Sequence, residues 1–106
     1  MEIFYTHLLN LYKWVISFPK YFTPNNDGYH DTWSVRGVDL DFYARSTLYI
    51  FNRFGKLLKT LNPTVDSWNG TYLGKPLPSD DYWFSIELVN LDGEIRQRNG
   101  HFSLKR

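Results

Sequence analysis

Asn25, Asp27 and Asp31 place three oxygen-bearing side chains within seven residues, with Gly28 among them. Calcium takes several carboxylate, amide and carbonyl oxygens around one loop, so these three are the candidate metal ligands. The spacing departs from an EF-hand, because the glycine comes too early and no glutamate closes the twelfth position. The same residues also suit an array of Asx-turns, in which short side chains hydrogen-bond the nearby backbone. Asp80-Asp81 is a candidate acid pair. General acid–base work needs two carboxylates in one pocket with separated pKa values. Neighbours at a strand entry tend to point apart, so a solvated loop or turn cap competes with that reading.

Other catalytic frames are missing from the sequence. His7, His30 and His101 are far apart, and none sits in an H-x-x-H or H-E-x-x-H frame. There is no G-x-S-x-G elbow, no G-x-G-x-x-G and no P-loop. With no cysteine, disulfides, thiol catalysis and Cys-ligated zinc are excluded. The expectation is a protein without enzymatic activity and without a cofactor, calcium at Asn25, Asp27 and Asp31 being the one candidate.

Trp33, Trp68, Trp83, Tyr72 and Tyr82 are candidates for a sugar-stacking platform, or for core and edge packing. Trp83 lies in a strong strand pattern and is expected in the core. Trp68 lies in a Trp-Asn-Gly turn, either exposed or capping one end of the domain. Arg96, Arg98, Lys105 and Arg106 form a basic cluster that suits a solvated strand edge. A net charge of +1 is too small for a nucleic-acid surface.

These residues need a scaffold. A chain of 106 residues points to one domain. Eight Tyr, eight Phe and four Trp are far too many for a disordered chain. Phe4, Leu8, Leu11 and Val15 recur at helical spacing, which predicts a short helix over 3–12, with strand over 14–18. Residues 1–14 read as a leader and 15–106 as the domain. Pro19 and Pro24 hold Lys20 to Thr23 extended, and Pro24 to Gly28 is the densest turn signal. Thr32 to Arg36 alternates like a strand.

Ser46 to Leu61 reads as a β-hairpin with a glycine-containing loop at 52–56. Trp68-Asn69-Gly70 and Leu73 to Pro76 are turns, and Leu77 to Asp81 is a surface loop. Tyr82 to Val89 is a strong strand, Asn90 to Gly93 a hairpin turn, and His101 to Leu104 the last strand. About seven short strands, closely spaced turns and little helix predict an all-β sandwich.

No stretch is apolar for about 18 residues, so no membrane-spanning helix is expected. Met1-Glu2 lacks a basic start and no small-residue cleavage site follows, so no signal peptide is expected. Standing alone, such a chain would stay in the cytoplasm.

Three ordered motifs carry a resemblance. Phe18-Pro19-Lys20-Tyr21-Phe22-Thr23-Pro24-Asn25-Asn26-Asp27-Gly28-Tyr29-His30-Asp31-Thr32-Trp33 is the first. Ile50-Phe51-Asn52-Arg53-Phe54-Gly55-Lys56-Leu57-Leu58 is the second, and the run from Trp68-Asn69-Gly70 through Leu77-Pro78-Ser79 to Tyr82-Trp83 the third. Together with the ending Gly100 to Arg106, they resemble the gliding-motility-associated C-terminal domain. That family is the type B sorting domain of the Bacteroidetes type IX secretion system.

The resemblance implies an Ig-like antiparallel β-sandwich that serves as a folded C-terminal address tag. It implies two partners: a passenger protein on the N-terminal side and an outer-membrane component of the secretion machinery. Such a protein would cross the periplasm to the cell surface or medium as part of a longer, signal-bearing chain. The expected receptor surface is Pro24, Asn25, Asp27, Gly28, Asp31, Trp68, Gly70, Gly74, Lys105 and Arg106. Edge-strand addition is one candidate mode of recognition. Asn26 and His30 stand where the family usually has Gly and Asn. Asn tolerates a left-handed backbone, so the turn is expected to survive.

Overall fold

Alternation with period two builds the main sheet, because successive strand residues face opposite sides. The structure, a computed structural model, describes residues 16–38 and 43–106. In chain order its strands are β1 (Tyr21–Phe22), β2 (Tyr43–Phe51), β3 (Leu57–Leu61), β4 (Thr71–Tyr72), β5 (Lys75–Pro76), β6 (Asp80–Asn90) and β7 (Ile95–Leu104). Five of them form one sheet in the order β1-β7-β6-β2-β3, and β4 pairs with β5. The described residues contain no helix. The helix expected over 3–12 lies outside them.

Leu48 and Ile50 of β2, Tyr82, Phe84, Ile86 and Leu88 of β6, and Phe102 and Leu104 of β7 are buried on the inner face. Trp33, Trp68, Phe22 and Val35 join them in one core. These come largely from irregular chain laid over the sheet, which completes a sandwich-like fold. Two short bridges pin that layer: Ser17 with Arg36, and Trp33 with Trp68.

Trp33 and Trp68 exchange both backbone hydrogen bonds at 2.8 Å. Their rings fill the centre. Trp33 stacks on Phe102 at 4.0 Å, and Trp68 meets Tyr82 edge-on at 5.3 Å. Burying an indole leaves its N–H needing an acceptor. Trp33 Nε1 donates to the Pro19 carbonyl at 2.8 Å, and Trp68 Nε1 to that of Thr71 at 3.0 Å.

The hairpin expected over 46–61 is β2–β3, and the turn expected at 90–93 joins β6 to β7. Five readings change. Of the strand expected over 14–18, residues 16–18 carry only the bridge at Ser17, and the rest lies outside the described residues. Thr32 to Arg36 is no strand, since only Trp33 and Arg36 make bridges there. The last strand begins at Ile95 rather than His101. Its first half, Ile-Arg-Gln-Arg-Asn-Gly, has no apolar alternation to betray it, because pairing with β6 holds it. The sheet is mixed rather than wholly antiparallel, as β1 runs parallel to β7. Trp83 is 40 % exposed on the outer face, because Tyr82, Phe84 and Ile86 take the inner phase of β6.

Candidate functional site

Register brings the sequence motifs to one end of the sandwich. Asp80 at the start of β6 lies opposite Leu104 at the end of β7, and Leu104 opposite Phe22 of β1. Phe51, just before the 52–56 turn, lies opposite Trp83. The loops that follow or precede these residues therefore crowd together there.

Arg106 ties them. Its guanidinium donates to the Gly70 carbonyl at 3.1 Å and the Pro24 carbonyl at 3.3 Å, and also to that of Leu77. Its backbone N–H donates to Ser79 Oγ at 2.8 Å. A planar guanidinium with five donors can serve several carbonyls at once, which an ammonium does less well. One residue thus joins the loop after Pro24, the turn after Trp68 and the segment before β6.

Gly70 must be small for this closure. Its φ is +80°, and a Cβ there would lie 2.7 Å from Leu104 Cδ1 and 3.3 Å from Arg106 Nη2. Gly74 also has φ +80° but faces open space at the tip of β4–β5. Its neighbour Leu73 is left-handed as well, with φ 52° and an exposed side chain.

The 24–31 loop is organised by its own carboxylates. Asp31 accepts from the N–H groups of Asn26 and Gly28, both at 2.8 Å. Asn25 Oδ1 accepts from Asp27 N–H, and Asp27 Oδ1 from Tyr29 N–H. A backbone bond from Thr23 N–H to the His30 carbonyl closes the loop at 2.7 Å. Asn26 and His30 have φ of 62° and 50°, the left-handed backbone that the turn requires. Of the residues read as calcium candidates, Asn25 and Asp27 thus hold the amide two residues on, as in Asx-turns, while Asp31 reaches back to the amides of Asn26 and Gly28.

Asp80 and Asp81 diverge. Asp80 faces Arg53 at 3.6 Å, while Asp81 accepts from Ser103 Oγ at 2.7 Å. An open groove beside Trp68 is lined by Thr32, Lys59, Ser67, Asn69, Thr71 and Tyr72 among others, with no carboxylate or imidazole among the described residues of its wall. Of the sugar-platform candidates, Trp33, Trp68 and Tyr82 are buried, which leaves Trp83 and Tyr72 apart from each other on different elements.

Lys105 sits with its ammonium 5.1 Å from the Tyr21 ring centre, and its N–H donates to the Phe22 carbonyl at 3.0 Å. Sequence reasoning missed Leu77, Ser79 and Tyr82 as members of this end. The first two carry only backbone and hydroxyl contacts to Arg106, which no spacing rule reveals. Tyr82 donates its hydroxyl to the Pro78 carbonyl at 2.8 Å. Burial, then the Asp80 carboxylate, push its pKa up from 10.0, and Arg106 pulls it the other way.

Fold and site together define a small β-sandwich domain with its motif residues gathered at one end. The model of the CHU_C type IX secretion signal domain matches residues 16–104, and the chain belongs to that family. Membership implies a passenger, the type IX machinery, and export to the cell surface or medium as part of a longer protein. Among solved structures, the chain is similar to CopC from Methylosinus trichosporium OB3b. The identity is 17 %, with 84 % of this chain and 85 % of that one covered at a TM-score of 0.50. That likeness concerns the fold alone. No curated protein matches the chain. Among the described residues no helix is long and apolar enough to cross a membrane.

Proposed function

We propose that this domain is a folded address. It directs a passenger on its N-terminal side through the type IX system, and an outer-membrane component of that machinery reads it. In this role it acts as a ligand and performs no chemistry. The observation that carries the reading is the Arg106 clasp, which fixes three separate motif loops as one surface. Loops on a rigid scaffold are where recognition commonly resides. The carboxylates support the same reading, because Asp27 and Asp31 hold turns and Asp80 and Asp81 face different partners.

The test is a fusion of the full chain behind a signal-bearing fluorescent passenger. Surface signal that needs a working type IX system supports the proposal. A folded fusion that stays in the periplasm of a competent host contradicts it.

A further inference from the structure

Among the described residues, β7 is paired along its whole length on one side only, the side of β6. It registers with β6 residue by residue from Ile95 to Leu104, without a bulge. Its other neighbour, β1, registers with Ser103 and Leu104 alone. The outward phase can be assigned. The N–H groups of Ser103 and Lys105 point away from β6, to the carbonyls of Lys20 and Phe22. In a regular strand the same direction recurs every second residue. Gln97, Asn99 and His101 therefore aim their backbone N–H and C=O outward, without a strand partner among the described residues. Such a row is a template for an added strand.

Charge selects the occupant. From Ile95 to Arg106 there is no Asp or Glu, while Arg98 and Lys105 are exposed along that edge. Lys20 stands exposed at its end, beside β1. Two copies pairing edge to edge would set these cations against each other, and like charges directly opposite destabilise a pair. We propose that the 97–101 edge of β7 receives an extended, acidic strand of the secretion machinery, continuing the sheet where β1 stops. The inference rests on the sorting reading and gives it a mode of recognition.

Asn99→Pro is the discriminating variant. It removes an outward N–H and blocks an incoming strand, while the bonds to β6 come from the even-numbered residues. In the full-chain fusion, surface signal is expected to fall at least about tenfold, with Asn99→Ala near wild type. If the wild-type fusion is exported and a folded Asn99→Pro fusion is exported equally, the edge inference is overturned and sorting stands. If the wild type itself is not exported, the sorting reading fails first.

Amide exchange on the unmodified full chain covers the case in which the proline variant does not fold. The probe is a peptide alternating glutamate with valine. Fast exchange at Gln97, Asn99 and His101, slowed by that peptide and not by its lysine counterpart, supports the inference. Protection at all chain concentrations shows that the chain covers its own edge and overturns it. Protection that grows with chain concentration assigns the edge to a second copy, and also overturns it.

Discussion

The Arg106 guanidinium donates to the Gly70 carbonyl at 3.1 Å, and a methyl on Gly70 would lie 3.3 Å from that same nitrogen. The last residue of the sequence is thus packed onto a turn that only glycine fits. Two penalties add at this position, a left-handed backbone and a contact of 2.7 Å with Leu104. Gly70→Ala is expected to cost about 3 kcal/mol. Gly74→Ala shares the φ but meets open space, and is expected to cost about 1 kcal/mol. Denaturant unfolding of the two variants measures the difference, and equal losses would show that the close approach carries no weight.

Trp68 is 1 % exposed and touches Phe22, Tyr82 and Phe102. Trp68→Ala is expected to cost about 3–5 kcal/mol, since it opens a large cavity and frees the Thr71 carbonyl. That is a large share of the stability of a domain this size. A loss below about 1 kcal/mol in urea unfolding would place the indole outside the core.

Both oxygens of Asp31 accept from backbone amides, those of Asn26 and Gly28. Asp31→Ala is expected to cost about 1 kcal/mol, because water can replace part of an exposed hydrogen bond. Adding calcium or a chelator to the wild type is expected to leave its Tm unchanged. A rise in Tm with calcium that Asp31→Ala abolishes would contradict this and assign the loop a metal.

The Tyr82 phenol has a raised pKa when folded, chiefly through burial, with Asp80 adding to it and Arg106 opposing it. As pH rises, the unfolded chain loses this proton first. The stability that Tyr82 contributes is therefore full below pH 10.0 and is lost between that pH and the raised native value. Tyr82→Phe gives up the bond to Pro78, about 1 kcal/mol at neutral pH. Its Tm should then fall less steeply than that of wild type above pH 10.0, and parallel curves would contradict the burial argument.

Much of the sheet was legible because local chemistry agrees with it. Asp92-Gly93 marks the β6–β7 turn, and Asp92 Oδ1 accepts from Glu94 N–H there. Asn52 marks the β2–β3 turn, with its Oδ1 accepting from Phe54 and Lys56. What stayed hidden depends on distant partners. β6 carries aromatic residues on both phases, so the outward position of Trp83 was not decided locally. The parallel β1–β7 pair joins residues about eighty positions apart. Each of the three loops of the site was marked in the sequence. Their union was not, because it depends on one guanidinium reaching carbonyls, and every residue has a carbonyl.

The central claim is that the end closed by Arg106 is what the machinery reads. Surface display of a passenger fused to the full chain tests it most directly, with wild type beside Arg106→Ala in hosts with and without a working type IX system. Near-ultraviolet circular dichroism of the two purified domains checks that both are folded. The account predicts wild-type passenger at the surface of the competent host only, and the folded Arg106→Ala fusion held in the periplasm. Equal display of the two fusions would contradict it.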